Sequence, residues 1–324
     1  MILFSLLLLG LLLLGAAWYA GRFRTQGDPT LVAAGAAVTE ARLRAHVLQL
    51  AGQIGERNLW QPQRLEQAAT SIEAELAAAG CKPRLLPYQV RQQRVRNIEV
   101  EIAGGELAQE IVLIGAHYDS VLGSPGANDN ASGVAALLEL AHSFCAATPR
   151  RTLRLVAFVN EEPPFFQSAE MGSLVYAQAA RERGETIVAM ISLETIGYYS
   201  TTEGSQQFPF PPLRLFYPSR GNFVAFVGNF GSRRLLQQAL DAFRATSAFP
   251  AEGLVAPEWL AGVNWSDQWS FWRSGYPAIM ITDTAPFRYP HYHSRADTPD
   301  QLDYGALARV THGLEGMVRR LCDD

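Results

Sequence analysis

Cysteine and histidine are scarce in this sequence. Three cysteines (Cys81, Cys145, Cys322) and six histidines are spread over 324 residues. No Cys-x-x-Cys pair occurs, which argues against a cysteine zinc module. An odd number of cysteines permits at most one intramolecular disulfide, so they leave the compartment open. Positive charge is not in excess either. The 27 Lys and Arg face 31 Asp and Glu, giving a net charge of −4, and nothing electrostatic points to nucleic acid. Several catalytic signatures are missing: there is no Gly-x-Ser-x-Gly elbow, no His-Glu-x-x-His helix, no P-loop and no Rossmann glycine fingerprint. Internal repeats are absent as well.

Uncharged sequence is concentrated at the start. Ile2 to Ala20, "ILFSLLLLGLLLLGAAWYA", has no charged residue. As a helix rising ~1.5 Å per residue it would span roughly 28 Å, close to the thickness of a bilayer core. Trp18 and Tyr19 fall where an interfacial aromatic belt sits. Residues 1–20 therefore read as a transmembrane anchor or a signal segment, and Gly15-Ala16-Ala17 would serve as a cleavage site in the second case. The domain that follows is expected outside the cytoplasm, anchored or secreted. Arg22 and Arg24 argue for the opposite orientation under the positive-inside rule. Residues 21–37 read as a linker and 38–324 as the folded domain.

Two helical stretches open that domain. "VTEARLRAHVLQLAGQI" carries apolar residues at helical spacing, and "QRLEQAATSIEAELAAAG" stops at Gly80. Strand-like runs then alternate with helical ones. The strands are "VRNIEVEI", "EIVLIGAH", "RTLRLVAFVN", "TIVAMISLE", "NFVAFVGN" and "YPAIMITD"; the helices are 131–147, 173–183, 233–248 and 304–321. Continuous apolar strands suit burial on both faces. The pattern predicts an α/β fold with a largely parallel sheet covered on both sides. The Pro-, Ser- and Gly-rich stretch "YYSTTEGSQQFPFPPLRLFYPSRG" reads as a long surface loop.

In such sheets ligands collect at the carboxyl ends of strands. Four strand ends here carry acids or histidine: His117 and Asp119, Glu161 and Glu162, Glu194, and the segment holding His293. Taken singly, each has an ordinary explanation. His117 reads as a hydrogen-bonded loop histidine, and Asp129 and Asn130 as helix caps. Glu161-Glu162, however, sits between an apolar run and Pro163-Pro164, where no solvated helix face is available. Glu194 lies in an apolar strand, where an unpaired acid is costly. Taken together, two imidazoles and three carboxylates suit zinc or a related divalent ion, with one further carboxylate as a base. His46, His142 and His312 lie in helical stretches and read as structural or solvated.

At this point the chain resembles the M28 family of metallopeptidases, zinc aminopeptidases with a pair of metal ions. The resemblance runs from about Val38 to the C-terminus. It rests on "AHYDS", "GANDNASGVAALLELA", "VAFVNEE", "SLETIGYYS", "WSDQWSFWRSGYPAIMITDT" and "YHSRADTPDQLD" in that order. It implies a three-layer α/β/α sandwich around a mixed sheet. It also implies roles: His117, Asp129, Glu162, Glu194 and His293 as ligands of two Zn²⁺, Asp129 bridging them, Glu161 as general base, and Asp119 orienting the His117 imidazole. His291 stands close by, but the motif places the ligand after Tyr292. Glu194 departs from the family, most members of which have Asp there. The "PPFFQSAEMGS" segment is longer than a tight connection and is expected at the substrate rim. The implied activity is removal of N-terminal residues from peptides. Its rivals are a single-zinc glutaminyl cyclase of the same fold and an inactive binding ectodomain.

Overall fold

The computed structural model describes residues 36–324. The leader expected over 1–20, and nearly all of the 21–37 linker, lie outside the described residues. The linker was expected to reach residue 37, but helix α1 (Ala36–Val47) already includes its last two positions. Among the described residues no helix is long and apolar enough to cross a membrane.

Eight strands make one sheet: β1 (Arg84–Val90), β2 (Gln93–Ile102), β3 (Leu107–His117), β4 (Arg151–Phe158), β5 (Thr186–Glu194), β6 (Val224–Gly228), β7 (Ala251–Val255) and β8 (Ala278–Thr282). Their spatial order is β1-β2-β4-β3-β5-β8-β6-β7. The central strands β4, β3, β5 and β8 run parallel. β2 joins β4 antiparallel and β6 joins β8 antiparallel, so the sheet is mixed rather than parallel throughout. Parallel neighbours bring the ends of β3, β4, β5 and β8 to one edge.

Helices cover both faces. α1, α2 (Pro62–Ala78), α3 (Gly133–Phe144), α5 (Arg233–Thr246) and α7 (Tyr304–Asp323) share the larger core with one face of the sheet, while α4 (Gly172–Glu182) and α6 (Gln268–Arg273) pack on the other. The strands divide their side chains by alternation. On β3, Val112, Ile114 and Ala116 enter the larger core, and Ile111 and Leu113 the smaller one. Apolar residues on both parities therefore appear as the uninterrupted runs seen in the sequence. Gly115 makes room for Phe158: a Cβ there would lie 2.4 Å from the Phe158 ring.

α2 shows how local sequence sets an element. Pro62 sits in its first turn, where a missing N–H costs nothing. Leu65, Ala68, Ala69, Ile72 and Leu76 form its buried stripe. Gly80 ends it at φ 87°, and the Cys81 N–H returns to the Leu76 carbonyl at 3.1 Å. Cys81 is bonded to Cys145, the residue that ends α3, with 5.2 Å between Cα atoms. The first helical stretch is shorter than its periodicity suggests: after Val47 the chain widens into a π-type turn, Leu48–Ile54.

Candidate metal centre

The loop after β3 is tied down from several directions before any ligand question arises. Arg57 is fully buried beneath it. Its guanidinium donates to the carbonyls of Tyr118 (2.6 Å), Gly126 (2.8 Å) and Pro125. Burial lowers Arg57 to about 10, against the pull of Asp297, Asp119, Asp129 and Glu162, so it stays charged at neutral pH. From the far end of the chain, Asp297 accepts the N–H groups of Asn128 (2.8 Å) and Asp129 (3.1 Å). Asn130 accepts from Gly133 N–H at the start of α3 and from Thr195 N–H, and donates to the Leu193 carbonyl. Asn130 is not the N-cap of α3, which is Ser132, but its side chain ties the start of α3 to the end of β5.

These anchors set Asp129 at the centre of the cluster. Its Oδ1 lies 3.2 Å from His117 Nε2, and its Oδ2 lies 3.0 Å from His293 Nε2. Glu194 Oε2 is 3.3 Å from His117 Nε2, and Glu162 Oε2 is 3.3 Å from His293 Nε2. Three overlapping donor sets result, His117–Asp129–Glu194, Asp129–Glu162–His293 and His117–Glu161–Glu162, each with atoms close enough to hold a metal ion. The first two share one carboxylate, Asp129. Glu161 Oε2 sits 3.8 Å from His117 Nε2. His293 rather than His291 faces Asp129; the His291 ring instead meets Tyr289. Asp119 stands beside the His117 imidazole, on its Nδ1 side, and holds the glutamate pair as well. Its two carboxylate oxygens accept the backbone N–H groups of Glu161 (3.1 Å) and Glu162 (3.2 Å). His117 Nδ1 lies closer to the Asp119 main-chain oxygen, at 3.2 Å, than to its Oδ1, at 3.6 Å.

The electrostatics call for added positive charge. Burial, reinforced by Glu194, Glu162 and Asp267, pushes Glu161 well above the usual carboxylate range despite His117. Burial and the Asp129 charge raise Glu162 to about 7, and burial also raises Glu194. Burial opposes the charged form of His293, yet Asp129 and Glu162 outweigh it and lift the imidazole to about 10. Protons are being held where negative charge is crowded, and a divalent cation can replace them. His117 Nε2 is buried with no hydrogen-bond partner, a free lone pair or N–H aimed at two carboxylates. The donor set, two imidazoles with carboxylates, fits such an ion.

Beside Glu194 opens a pocket of about 790 Å³, including its mouth. Phe208, Leu213, Val263, Trp265, Met280 and Phe287 line it, and Glu252 and Tyr292 also contribute. Tyr292 stacks on His293 at 3.9 Å between ring centroids. The Pro-rich loop expected at the surface supplies part of this wall. Ser266 donates to Glu194 Oε2 at 2.7 Å and so sets the longer acid in place. The anchoring roles of Arg57, Asp297 and Ser266 were not read from the sequence. Asp297 lies in the quoted "YHSRADTPDQLD" motif, which was the available signal; a buried Arg57 leaves none. His312 is exposed on α7, as expected.

YfbL of Escherichia coli, a protein of uncharacterised function, is 40% identical over 239 residues, 68% of this chain and 73% of that one. A probable zinc metalloprotease of Leptosphaeria maculans is 27% identical over 244 residues, 68% of this chain; the chain spans about half of that relative's length, 53%. In fold, a zinc aminopeptidase from Bacillus subtilis superposes with a TM-score of 0.69 at 14% identity, covering 88% of this chain and 95% of the other. A glutaminyl cyclase from Fimbriiglobus ruber gives 0.61 at 18% identity, covering 86% and 94%. The model of peptidase family M28 matches residues 97–318, a stretch that contains every member of the cluster. The chain belongs to peptidase family M28.

Proposed function

We propose that the protein is a zinc aminopeptidase that holds two metal ions and hydrolyses the first peptide bond of a substrate with a free N-terminus. The observation that carries this reading is Asp129, whose two oxygens face two separate histidine–carboxylate sets at 3.2 and 3.0 Å. In this reading His117, Asp129 and Glu194 hold one zinc ion, and Asp129, Glu162 and His293 the other. When bound, zinc would supply Lewis acidity toward the scissile carbonyl and would make a water more acidic. Glu161 is the base for the attacking water and passes that proton to the departing amine. Asp119 fixes Glu161 and Glu162 together through their backbone N–H groups. The surplus of carboxylates attracts the substrate ammonium, and the apolar pocket beside Glu194 accepts a large apolar first side chain.

Residues 2–20 anchor the chain in a membrane in this reading, or are removed as a signal, with the peptidase domain outside the cytoplasm. The Cys81–Cys145 disulfide supports an oxidising compartment. A reporter fused after residue 324 tests the orientation.

The activity test is a panel of aminoacyl anilides and N-acetylated peptides, with and without chelator. Chelation is expected to abolish anilide hydrolysis and zinc to restore it, with acetylated peptides untouched. Cleavage of acetylated peptides would refute the exopeptidase reading. Cyclisation of N-terminal glutamine without peptide hydrolysis, together with a single zinc ion at this centre, would replace it with a cyclase.

A further inference from the structure

A second group of donors lies on the helical layer, outside the peptidase centre. His46 is near the end of α1, Glu75 in the last turn of α2 and His142 in the last turn of α3. One donor atom from each lies within 4.8 Å of the others. His46 is the buried member, 7% exposed, and its Nε2 makes no hydrogen bond. The carboxylate of Glu139 is 3.6 Å from that nitrogen, but Arg42 already holds it with bonds of 2.8 and 2.6 Å. Among the described residues, the side chains of Glu75 and His142 make no hydrogen bond or ion pair.

Two further features favour a cation here. The C-terminal ends of α2 and α3 meet at this corner, and each is the negative end of a helix dipole. The Cys81–Cys145 bond clamps those same two ends, so Glu75 and His142 are held near each other without any ion.

We propose that His46, Glu75 and His142 bind a zinc ion separate from the peptidase centre, with the fourth position open to water. Two imidazoles and one carboxylate are an established zinc donor set. Bonds of about 2.0–2.1 Å in a tetrahedron put donors roughly 3.4 Å apart. The present spacing therefore closes by about 1.4 Å at most, through the exposed His142 and half-buried Glu75 moving toward the fixed His46. The ion ties α1, α2 and α3 together. Its role is to stabilise the layer from which α3 carries the Asp129 loop.

The test uses the full chain and zinc alone as the probe. His142→Ala and Glu75→Gln lie at accessible positions and are expected to fold. Each should carry one zinc fewer per chain than wild type after dialysis against a zinc buffer, with unchanged kcat/KM on an aminoacyl anilide. The rise of Tm with zinc should shrink in both. Asp129→Ala separates the two sites: it should retain one zinc, and Asp129→Ala/His142→Ala none. Titration calorimetry of Asp129→Ala should show a single site that His142→Ala removes. Equal zinc content in wild type, His142→Ala and Glu75→Gln, with no site titrating in Asp129→Ala, overturns the proposal whatever the peptidase centre does.

Discussion

Glu161 and Glu162 are adjacent, both buried and both glutamate, yet the proposed mechanism gives them different work. Glu162 Oε1 accepts the Val121 N–H at 3.0 Å, and its Oε2 faces His293 Nε2. In Glu162→Gln the amide oxygen must stay on Val121, so the NH₂ group turns toward the metal position and offers no lone pair. That variant should lose metal. In Glu161→Gln the backbone bond to Asp119 remains, and the two donor sets that share Asp129 do not include the side chain, although Glu161 also stands in a third group with His117 and Glu162. Because burial already drives Glu161 toward its neutral form, a neutral isostere should fold as well as wild type when metal is removed. What disappears is the proton acceptor. A lost general base costs on the order of 10²–10⁴ in rate, about 2.7–5.4 kcal/mol at about 1.36 kcal/mol per decade. The assay is kcat on leucine anilide beside zinc by elemental analysis. Glu161→Gln should show a fall of that size in kcat with little change in KM and full zinc content. Full activity in Glu161→Gln refutes the mechanism; metal loss there, with retention in Glu162→Gln, exchanges the two roles.

Phe287→Ala opens the pocket wall that stacks with Trp265. It should lower kcat/KM for leucine anilide by about 10–100-fold and for alanine anilide much less; equal losses would mean that the pocket does not read the first side chain. Cys81→Ser/Cys145→Ser removes a bond across 64 residues of sequence and should cost about 4 kcal/mol at most by loop entropy, read as a lower denaturant midpoint that matches reduced wild type. Asp283 is fully buried, and burial raises it from 3.8 to about 7 in the folded chain. Its raised pKa gives stability that is complete below about pH 4 and is lost as pH rises through about 7. Asp283→Asn should flatten that decline in urea unfolding of chelated protein between pH 5 and 8, and an unchanged slope would disprove the assignment.

Most of the site was legible because its residues interrupt apolar runs. A His or Glu at the end of "IVLIGA", "LVAFV" or "VAMISL" has no ordinary reason to be buried, and a parallel sheet brings such ends together. Two strands were not legible. β1 is an edge strand, largely exposed and containing Pro87, so it has no apolar run. β7 is five residues long and is interrupted by Glu252 and Gly253, so it shows no apolar run. The anchors escaped for a different reason. Arg57 and Asp297 act on backbone and Ser266 on an acid from distant points in the chain, and no periodicity or local spacing encodes a partner 61 to 169 residues away. The pairing of His46 with His142 was equally hidden, since each lies on its own helix among ordinary neighbours.

The clamp of Asp297 on Asn128 and Asp129 has a consequence for biosynthesis. The segment that positions the shared carboxylate is made 168 residues after it, in the same stretch as His293. During synthesis the strands β3, β4 and β5 can pair early, but Asp129 waits for its backbone partner and for its last imidazole until residues 293–297 have been made. In the proposed mechanism, metal uptake at the Asp129 cluster therefore follows synthesis of that segment. A chain cut before residue 293 keeps Asp129, Glu161, Glu162 and Glu194 but lacks both the His293 imidazole and the Asp297 clamp that set the geometry of the cluster.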